Sequence, residues 1–153
     1  MKSTGLVVSA AFAACCGAAL GQEITVNGRL YLGPCSGSST GNCYVDVRVD
    51  ASGTTCEVKL DSAAQEVVGI TNANFMLWRI VSPPKGWIFT TDGVAIHDNW
   101  HRDFTNPKLA PDSMAFVWKN KRTVRKTYKY AVTVTDAATE AIECTLDPWI
   151  KNQ

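Results

Sequence analysis

The sequence lacks the common signatures of enzymes and metal sites. It contains no recognisable Ser/His/Asp set and no C-x-x-C pair. Helical periodicity is almost absent after residue 22, and no second run of 18 apolar residues follows the N-terminal one. We therefore expect no helical fold, no transmembrane segment in the mature chain, no cofactor and no dedicated catalytic motif.

A strong excess of charge of either sign is also missing. The chain has 15 basic and 14 acidic residues, and its first 21 residues contain one Lys and no acidic residue. A mature chain starting at residue 22 is therefore close to neutral. Because nucleic-acid affinity depends on neutralising phosphates, this balance argues against a specific nucleic-acid binder.

The N-terminus has the pattern of a secretory signal peptide. Lys2 provides a positive start, Leu6 to Leu20 is mostly apolar, and Ala19-Leu20-Gly21 places small residues where a signal peptidase cleaves. The sequence thus predicts removal of residues 1–21, a mature start at Gln22 and a secreted or periplasmic location. The remaining 132 residues suit one domain, 22–153.

A second interpretation of the same segment is lipidation. Phe12-Ala13-Ala14-Cys15 loosely matches a bacterial lipobox, in which the cysteine receives the lipid. Phe12 stands where Leu is usual, and the residues after Cys15 stay apolar, unlike a lipoprotein tether. Lipidation at Cys15 is therefore the minor alternative.

Four cysteines remain after cleavage, an even number that predicts two disulfides in an oxidising compartment. Cys35 and Cys43 bracket a Gly/Ser-rich loop and can close it locally. A turn near Ser52 sets a register in which Cys43 faces a position near Asp61 and not Cys56. We therefore predict Cys35–Cys43 and Cys56–Cys144.

Short alternating runs separated by turn residues predict an all-β fold. Residues 24–32 are interpreted as its first strand. Val45, Val47 and Val49 alternate with charged residues, and a second such run returns from Cys56, which indicates a hairpin. About 7–9 strands without a substantial helix favour an antiparallel β-sandwich, with a closed barrel as the runner-up. Trp87 to Ile96 is predicted to form another short hairpin around Asp92-Gly93.

The C-terminal part resembles a known family. The run Tyr128-Lys-Tyr130-Ala-Val132-Thr-Val134-Thr-Asp136, a small turn and Ala141 to Leu146 are similar to the last hairpin of immunoglobulin-like or fibronectin-type sandwiches. The ending Asp147-Pro148-Trp149-Ile150 is similar to that of small secreted bacterial domains. The resemblance implies an immunoglobulin-like sandwich and carries no function with it. Val132 stands where immunoglobulins have a cysteine, so their usual inter-sheet disulfide cannot form.

The segment His97-Asp98-Asn99-Trp100-His101-Arg102-Asp103 is the one cluster with metal-ligand residue types. His97 and His101, with Asp98 or Asp103, are weak metal candidates, because catalytic zinc needs three protein ligands and these stand in no known pattern. A polar loop capping one end of the sandwich is the more ordinary interpretation. The competing functional hypothesis is a small secreted hydrolase that uses this loop.

Six basic residues lie between Lys119 and Lys129. A basic hairpin tip beside aromatic residues can hold an anionic polymer, and Lys121, Arg122, Arg125 and Lys126 are the candidate patch. The alternative is a solvated hairpin whose charges resist edge-to-edge association. Tyr128 and Tyr130 alternate onto the predicted core face and are not expected to contact a ligand.

Five tryptophans offer a further possibility, since a flat indole stacks on sugar rings. Trp78, Trp87 and Trp118 lie within predicted strands and are assigned to the core, whereas Trp100 and Trp149 are the surface candidates. The sequence as a whole favours a non-enzymatic binding or interaction module. Its partner is an unidentified protein or glycan, with an anionic one favoured by the basic patch.

Overall fold

The computed structural model describes residues 23–36, 39–61, 67–70, 74–81 and 86–152, with the backbone alone described at 67–70. The predicted signal peptide (residues 1–21), the mature start at Gln22 and the lipidation candidate Cys15 lie outside the described residues. Within the described ranges, no helix is long and apolar enough to cross a bilayer.

The described residues are all-β apart from a short 3₁₀ turn at Asn99–His101. The described residues form twelve strands: β1 (Ile24–Val26), β2 (Arg29–Tyr31), β3 (Cys43–Ser52), β4 (Thr55–Asp61), β5 (Val67–Ile70), β6 (Phe75–Ile80), β7 (Trp87–Ile96), β8 (Phe104–Leu109), β9 (Ala115–Asn120), β10 (Thr127–Asp136), β11 (Glu143–Leu146) and β12 (Trp149–Asn152).

Sheet I is built around β10. On one side β10 pairs with β7, and on the other it pairs with β11 and β12, which together act as one strand interrupted at Pro148. The register is continuous across that interruption, because Tyr130 N–H donates to the Pro148 carbonyl at 3.0 Å. β5 completes the sheet by pairing in parallel with β12. The β10–β11 pairing agrees with the hairpin predicted from the sequence.

Sheet II has the order β4–β3–β6–β9–β8. β3 and β6 are parallel, whereas the other neighbours in this sheet are antiparallel. Together with β12–β5, this makes two parallel strand pairs among the described residues, which differs from the wholly antiparallel arrangement of 7–9 strands expected from the sequence. Among these strands both sheets have open edges, so the fold also differs from the closed barrel that was the alternative prediction.

The inner faces of the two sheets contribute to one apolar core. Because side chains alternate between the two faces of a strand, Val45, Val47 and Val49 point into this core from β3, and Tyr128 and Tyr130 point into it from β10. Burial of such side chains is the main favourable term in folding. The predicted core assignment of both tyrosines is confirmed, since each is fully buried.

A second, smaller core lies on the outer face of sheet II. There the β1–β2 hairpin places Tyr31 against Tyr44, Leu77 and Val117. The turn of this hairpin is Asn27-Gly28, and both residues have positive φ (51° and 73°), which suits the right-handed twist of the flanking strands.

The structure contains two disulfides with the predicted pairing. Cys35–Cys43 closes a short loop beside the N-terminal hairpin. Cys56–Cys144 links β4, an edge of sheet II, to β11 of sheet I. Disulfides of this kind persist in oxidising compartments.

Four local predictions from the sequence are wrong. Residues 24–32 contain two paired strands, β1 and β2, and not one. Trp87 to Ile96 is one bulged strand rather than a hairpin, since Phe89 and Val94 both pair with β10. The β3–β4 register differs from the predicted one by three positions: Asp46, not Cys43, faces Asp61. The basic segment is also no hairpin tip, because β9 and β10 belong to different sheets.

Candidate functional site

Two loops meet at the same end of the two sheets. The histidine loop (His97–Asp103) connects β7 to β8, and the basic loop (Lys121–Lys126) connects β9 to β10. Both connections therefore run from one sheet to the other, so the packing of the sheets brings them side by side. The sequence analysis treated these segments as separate candidates, and the fold makes them neighbours.

Asp103 links the two loops. Its side chain is fully buried and accepts hydrogen bonds from the Thr123 N–H at 2.8 Å, the Val124 N–H at 3.2 Å and the Thr123 hydroxyl. Two more donors come from sheet I, the Tyr128 hydroxyl at 2.7 Å and the Asn152 amide at 3.3 Å. A buried carboxylate is tolerated when its oxygens are occupied in this way.

These contacts control the ionisation of the carboxyl group. Burial by itself raises the pKa of Asp103, but hydrogen bonds from Thr123, Tyr128 and the backbone of Val124 outweigh it, and the pKa lies below its ordinary value of 3.8. Burial and the neighbouring Asp103 carboxylate raise the pKa of Tyr128, which therefore remains a donor. Asp103 is thus a charged structural link in the interior.

Backbone contacts hold the rest of the basic loop. The Lys121 N–H donates to the Asp103 carbonyl at 2.7 Å, and the Arg122 N–H donates to the Asn120 side chain at 3.0 Å. The Lys126 carbonyl accepts from the Asn152 N–H at 2.9 Å. Asn120 and Asn152 also bond each other through their buried side-chain amides. The loop is therefore fixed at both ends and in its middle.

The histidine loop is a tight turn with its own internal bonds. The Asn99 side chain donates to the Phe104 carbonyl at 2.7 Å and accepts from the Phe104 N–H at 3.0 Å. Asp98 and Arg102, on either side of the 3₁₀ turn, have positive φ values of 52° and 54°. Non-glycine residues adopt this conformation uncommonly, and it is enriched at functional sites.

Trp100 is presented at the tip of this turn and is 72% exposed. Its ring lies against the His101 ring, with the centroids 3.6 Å apart. The Lys126 ammonium lies 5.2 Å from the Trp100 centroid and 5.3 Å from the Tyr128 centroid, and it donates to the Asp98 carbonyl at 3.4 Å. Attraction between the cation and the ring faces holds this lysine in place. The exposed aromatic residue and the basic loop therefore form one surface.

The other predicted site residues occupy varied positions. His97, Asp98, His101, Lys121 and Arg125 are exposed, whereas Arg122 and Lys126 are half-buried. No cluster of three or more His, Cys, Asp or Glu side chains suited to holding a metal occurs in the part of the chain that the structure describes. The oxygens of the Asp103 carboxylate accept hydrogen bonds from the basic loop and from sheet I. Asp103 therefore does not provide a carboxylate for the imidazole of His97 or His101.

The predicted division of the tryptophans is largely confirmed. Trp78 and Trp87 are buried, and Trp100 and Trp149 are exposed. Trp118 is half-buried and donates from Nε1 to the Val94 carbonyl at 2.8 Å, joining the sheets. Asn120 and Asn152 were missed as parts of the site, because nothing in their local sequence indicates that their amides meet across two sheets.

A scan against models of known protein families and a search of curated proteins found no match to this chain.

Proposed function

We propose that the chain is a secreted or periplasmic, non-enzymatic binding module that takes an anionic ligand at the loop surface, defined as Trp100 with Lys121, Arg122, Arg125 and Lys126. One observation carries the proposal. The buried Asp103 fastens the basic loop to the histidine loop, so cationic side chains stand beside a solvent-exposed indole. A surface held in advance loses little conformational freedom when a ligand binds.

The charge distribution supports an anionic ligand. The loop surface carries four of the chain's 15 basic residues within six positions, and the acidic side chain that touches this loop, Asp103, is buried and already hydrogen-bonded. The remaining basic residues include several that are paired, as in Arg48–Asp61, Lys59–Asp50 and Arg79–Asp46. The positive field of an otherwise balanced protein therefore concentrates at this end, where it raises association rates.

Binding is preferred over catalysis because of the surroundings of His97 and His101. A hydrolase using the histidine loop needs a carboxylate that orients an imidazole beside a substrate cleft. Both histidines are exposed, and Asp103 is directed away to the basic loop. No specific contact in the histidine loop favours the hydrolase hypothesis.

The immunoglobulin-like classification is also a proposal. It is supported by two sheets that share one core and by the β10–β11 hairpin near the C-terminus. The two parallel strand pairs, β3–β6 and β12–β5, depart from the antiparallel pairing of immunoglobulin-like sheets.

Charge removal tests the binding site. The variant Lys121→Gln/Arg125→Gln/Lys126→Gln should lose binding to polygalacturonate at low salt, and wild-type binding should weaken steeply as salt rises over the range of about 20 to 300 mM. Isothermal titration or a plate assay with immobilised polymer measures both effects. The matched control is Arg48→Gln/Lys59→Gln/Lys108→Gln, which removes three charges from β3, β4 and β8.

The control separates local from overall charge. If it loses binding as fully as the loop variant, net charge governs the interaction and the loop surface is not the site. If wild-type protein ignores acidic polymers even at the lowest salt, the proposed function is wrong. Thermal melts of both variants verify folding.

A further inference from the structure

Trp100 places an aromatic ring on the loop surface, and attraction between charges alone does not require such a ring. A polymer attracted only by charge needs cations, whereas the largest side chain on this surface is an apolar ring that is 72% exposed. The turn that presents the ring has left-handed backbone at Asp98 and Arg102, both non-glycine, and is fastened by the Asn99 side chain. The ring is therefore held out by a specific and constrained turn.

Lys126 is held near this ring in a defined place. Its ammonium is fixed by the Asp98 carbonyl, 3.4 Å away, and by the faces of Trp100 and Tyr128. His101 packs against part of the indole, and a group that contacts its exposed part has a cation beside it, 5.2 Å from the ring centroid. The ligand that matches this pair is a ring with an apolar face and an anionic substituent at its edge.

We infer, on the basis of the proposed function, that the loop surface recognises acidic sugars: Trp100 stacks on a pyranose ring of a polyuronate, and Lys126 pairs with the carboxylate of that ring. The C–H bonds on one face of a pyranose fit against the electron-rich face of an indole. Lys121 and Arg125 are exposed on the same loop and pair with carboxylates of neighbouring sugars. Arg102 extends the cationic border on the side of the histidine loop.

Two other classes of partner fit less well. A membrane surface is bound by several apolar side chains inserted together, or by lipid anchors. Among the described residues, the other large exposed apolar side chains, Leu30, Leu32 and Trp149, belong to the β2 region and β12, so Trp100 is alone on its turn. A single-stranded nucleic acid also stacks on aromatic rings, but the chain is close to neutral overall, which disfavours a polymer with a phosphate at every nucleotide.

A comparison of two polymers separates ring stacking from charge. Polygalacturonate carries one carboxylate per sugar ring, and poly-L-glutamate carries one per residue without a ring. Wild-type protein should bind polygalacturonate about tenfold more tightly than poly-L-glutamate of equal charge, the scale of one stacking contact. In Trp100→Ala the two affinities should become equal, and Trp100→Phe should restore part of the difference.

Trp149→Ala is the matched control, because it removes another exposed indole, 43% exposed on β12, and should leave both affinities unchanged. Difference fluorescence between wild type and Trp100→Ala isolates the signal of Trp100, and a shift of that signal with polygalacturonate is expected. Because Trp100 is mostly exposed, its replacement should not change the melting temperature.

The outcomes distinguish the two proposals. Equal wild-type affinity for both polymers overturns the sugar assignment and leaves the anionic binding module standing. Binding of neither polymer at low salt overturns the binding module itself. Trp100-dependent capture by phosphatidylglycerol vesicles, with no preference for polygalacturonate, assigns the surface to lipid and also overturns the sugar assignment.

Discussion

Tyr128 and Tyr130 stand two residues apart on β10, point to the same side and are both fully buried. Their hydroxyl groups have opposite surroundings. Tyr128 donates to the buried Asp103 carboxylate at 2.7 Å, whereas the Tyr130 hydroxyl makes no hydrogen bond of normal geometry among the described residues and has the Trp78 indole as its polar neighbour. Burial raises the pKa of Tyr130, so this hydroxyl stays neutral in the core.

The same substitution at these two positions should therefore give different results. Tyr128→Phe should lower the free energy of unfolding by about 1.5–3 kcal/mol, the usual contribution of a hydrogen bond to a charged group. Tyr130→Phe should leave it nearly unchanged or raise it, because an unpartnered buried hydroxyl is removed. Urea unfolding of both variants measures the difference. Equal destabilisation would mean that the Asp103 bond adds nothing beyond packing.

The ionisation of Asp103 makes a distinct prediction about acid stability. Because its folded pKa lies below 3.8, the unfolded chain binds more protons at this site as the pH falls through that value. The contribution of Asp103 is therefore present above pH 3.8 and is lost below it. Asp103→Asn should be about 2–3 kcal/mol less stable than wild type near neutral pH.

That deficit should shrink in acid. Unfolding curves at about pH 6 and about pH 2.5 measure the change, since in acid the unfolded wild type binds a proton at Asp103 that the variant cannot bind. A constant gap at both pH values would show that Asp103 does not titrate in this range on unfolding. Thr139→Ala, on the exposed turn after β10, is a suitable control, with no link to Asp103.

At the scale of strands and loops, the two disulfides differ in what they connect. Cys56–Cys144 spans 88 positions and joins the edges of the two sheets, whereas Cys35–Cys43 spans eight and closes a local loop. On the chain-entropy model, the long link stabilises by about 4–5 kcal/mol and the short one by about 2–3 kcal/mol.

Removal of the long link should therefore cost more stability. Cys56→Ala/Cys144→Ala should lower the urea midpoint further than Cys35→Ala/Cys43→Ala, with both proteins still folded as judged by far-UV circular dichroism. The reverse order would indicate that the short link holds the N-terminal hairpin and its core more firmly than loop closure accounts for.

Pairings between strands close in sequence were predictable, and distant ones were not. Alternation gave the β3–β4 and β10–β11 hairpins, and the core positions of Tyr128 and Tyr130 followed from it. The turn at Asn27-Gly28 carried a recognised hairpin signal, yet residues 24–32 were interpreted as one strand. The parallel pairs depend on which strands meet after long connections, and the local alternation of apolar and polar residues does not indicate this.

The same distinction between near and distant residues applies to the candidate functional site. Exposure of Trp100 and Trp149 was predictable, because each lies outside the alternating runs. The approach of Trp100 to Lys126 was not, since it requires β9 and β10 to lie in different sheets. Asp103 was considered as a metal ligand because a carboxylate beside histidines suggests one. Its true partners, Thr123 and Asn152, are 20 and 49 positions away.

For the whole molecule, the N-terminal segment predicts the compartment in which the protein works. Lys2, the apolar run and the small residues at Ala19-Leu20-Gly21 predict cleavage before Gln22. Intact-mass analysis of exported protein should show the loss of residues 1–21 and two disulfides. A mature species that starts at Cys15 and carries acyl mass would establish the lipoprotein alternative instead.

The position of β12 in sheet I has a consequence for biosynthesis. This strand is made after every other described strand, yet it lies between β10 and β5, and its Asn152 reaches Asp103. At ribosomal speed, the 88 positions from Cys56 to Cys144 take roughly 5–20 s to emerge, during which Cys35 and Cys43 can already meet. A chain released before Trp149 has every charge of the loop surface and lacks β12, whose Asn152 bonds Asp103 and the Lys126 carbonyl.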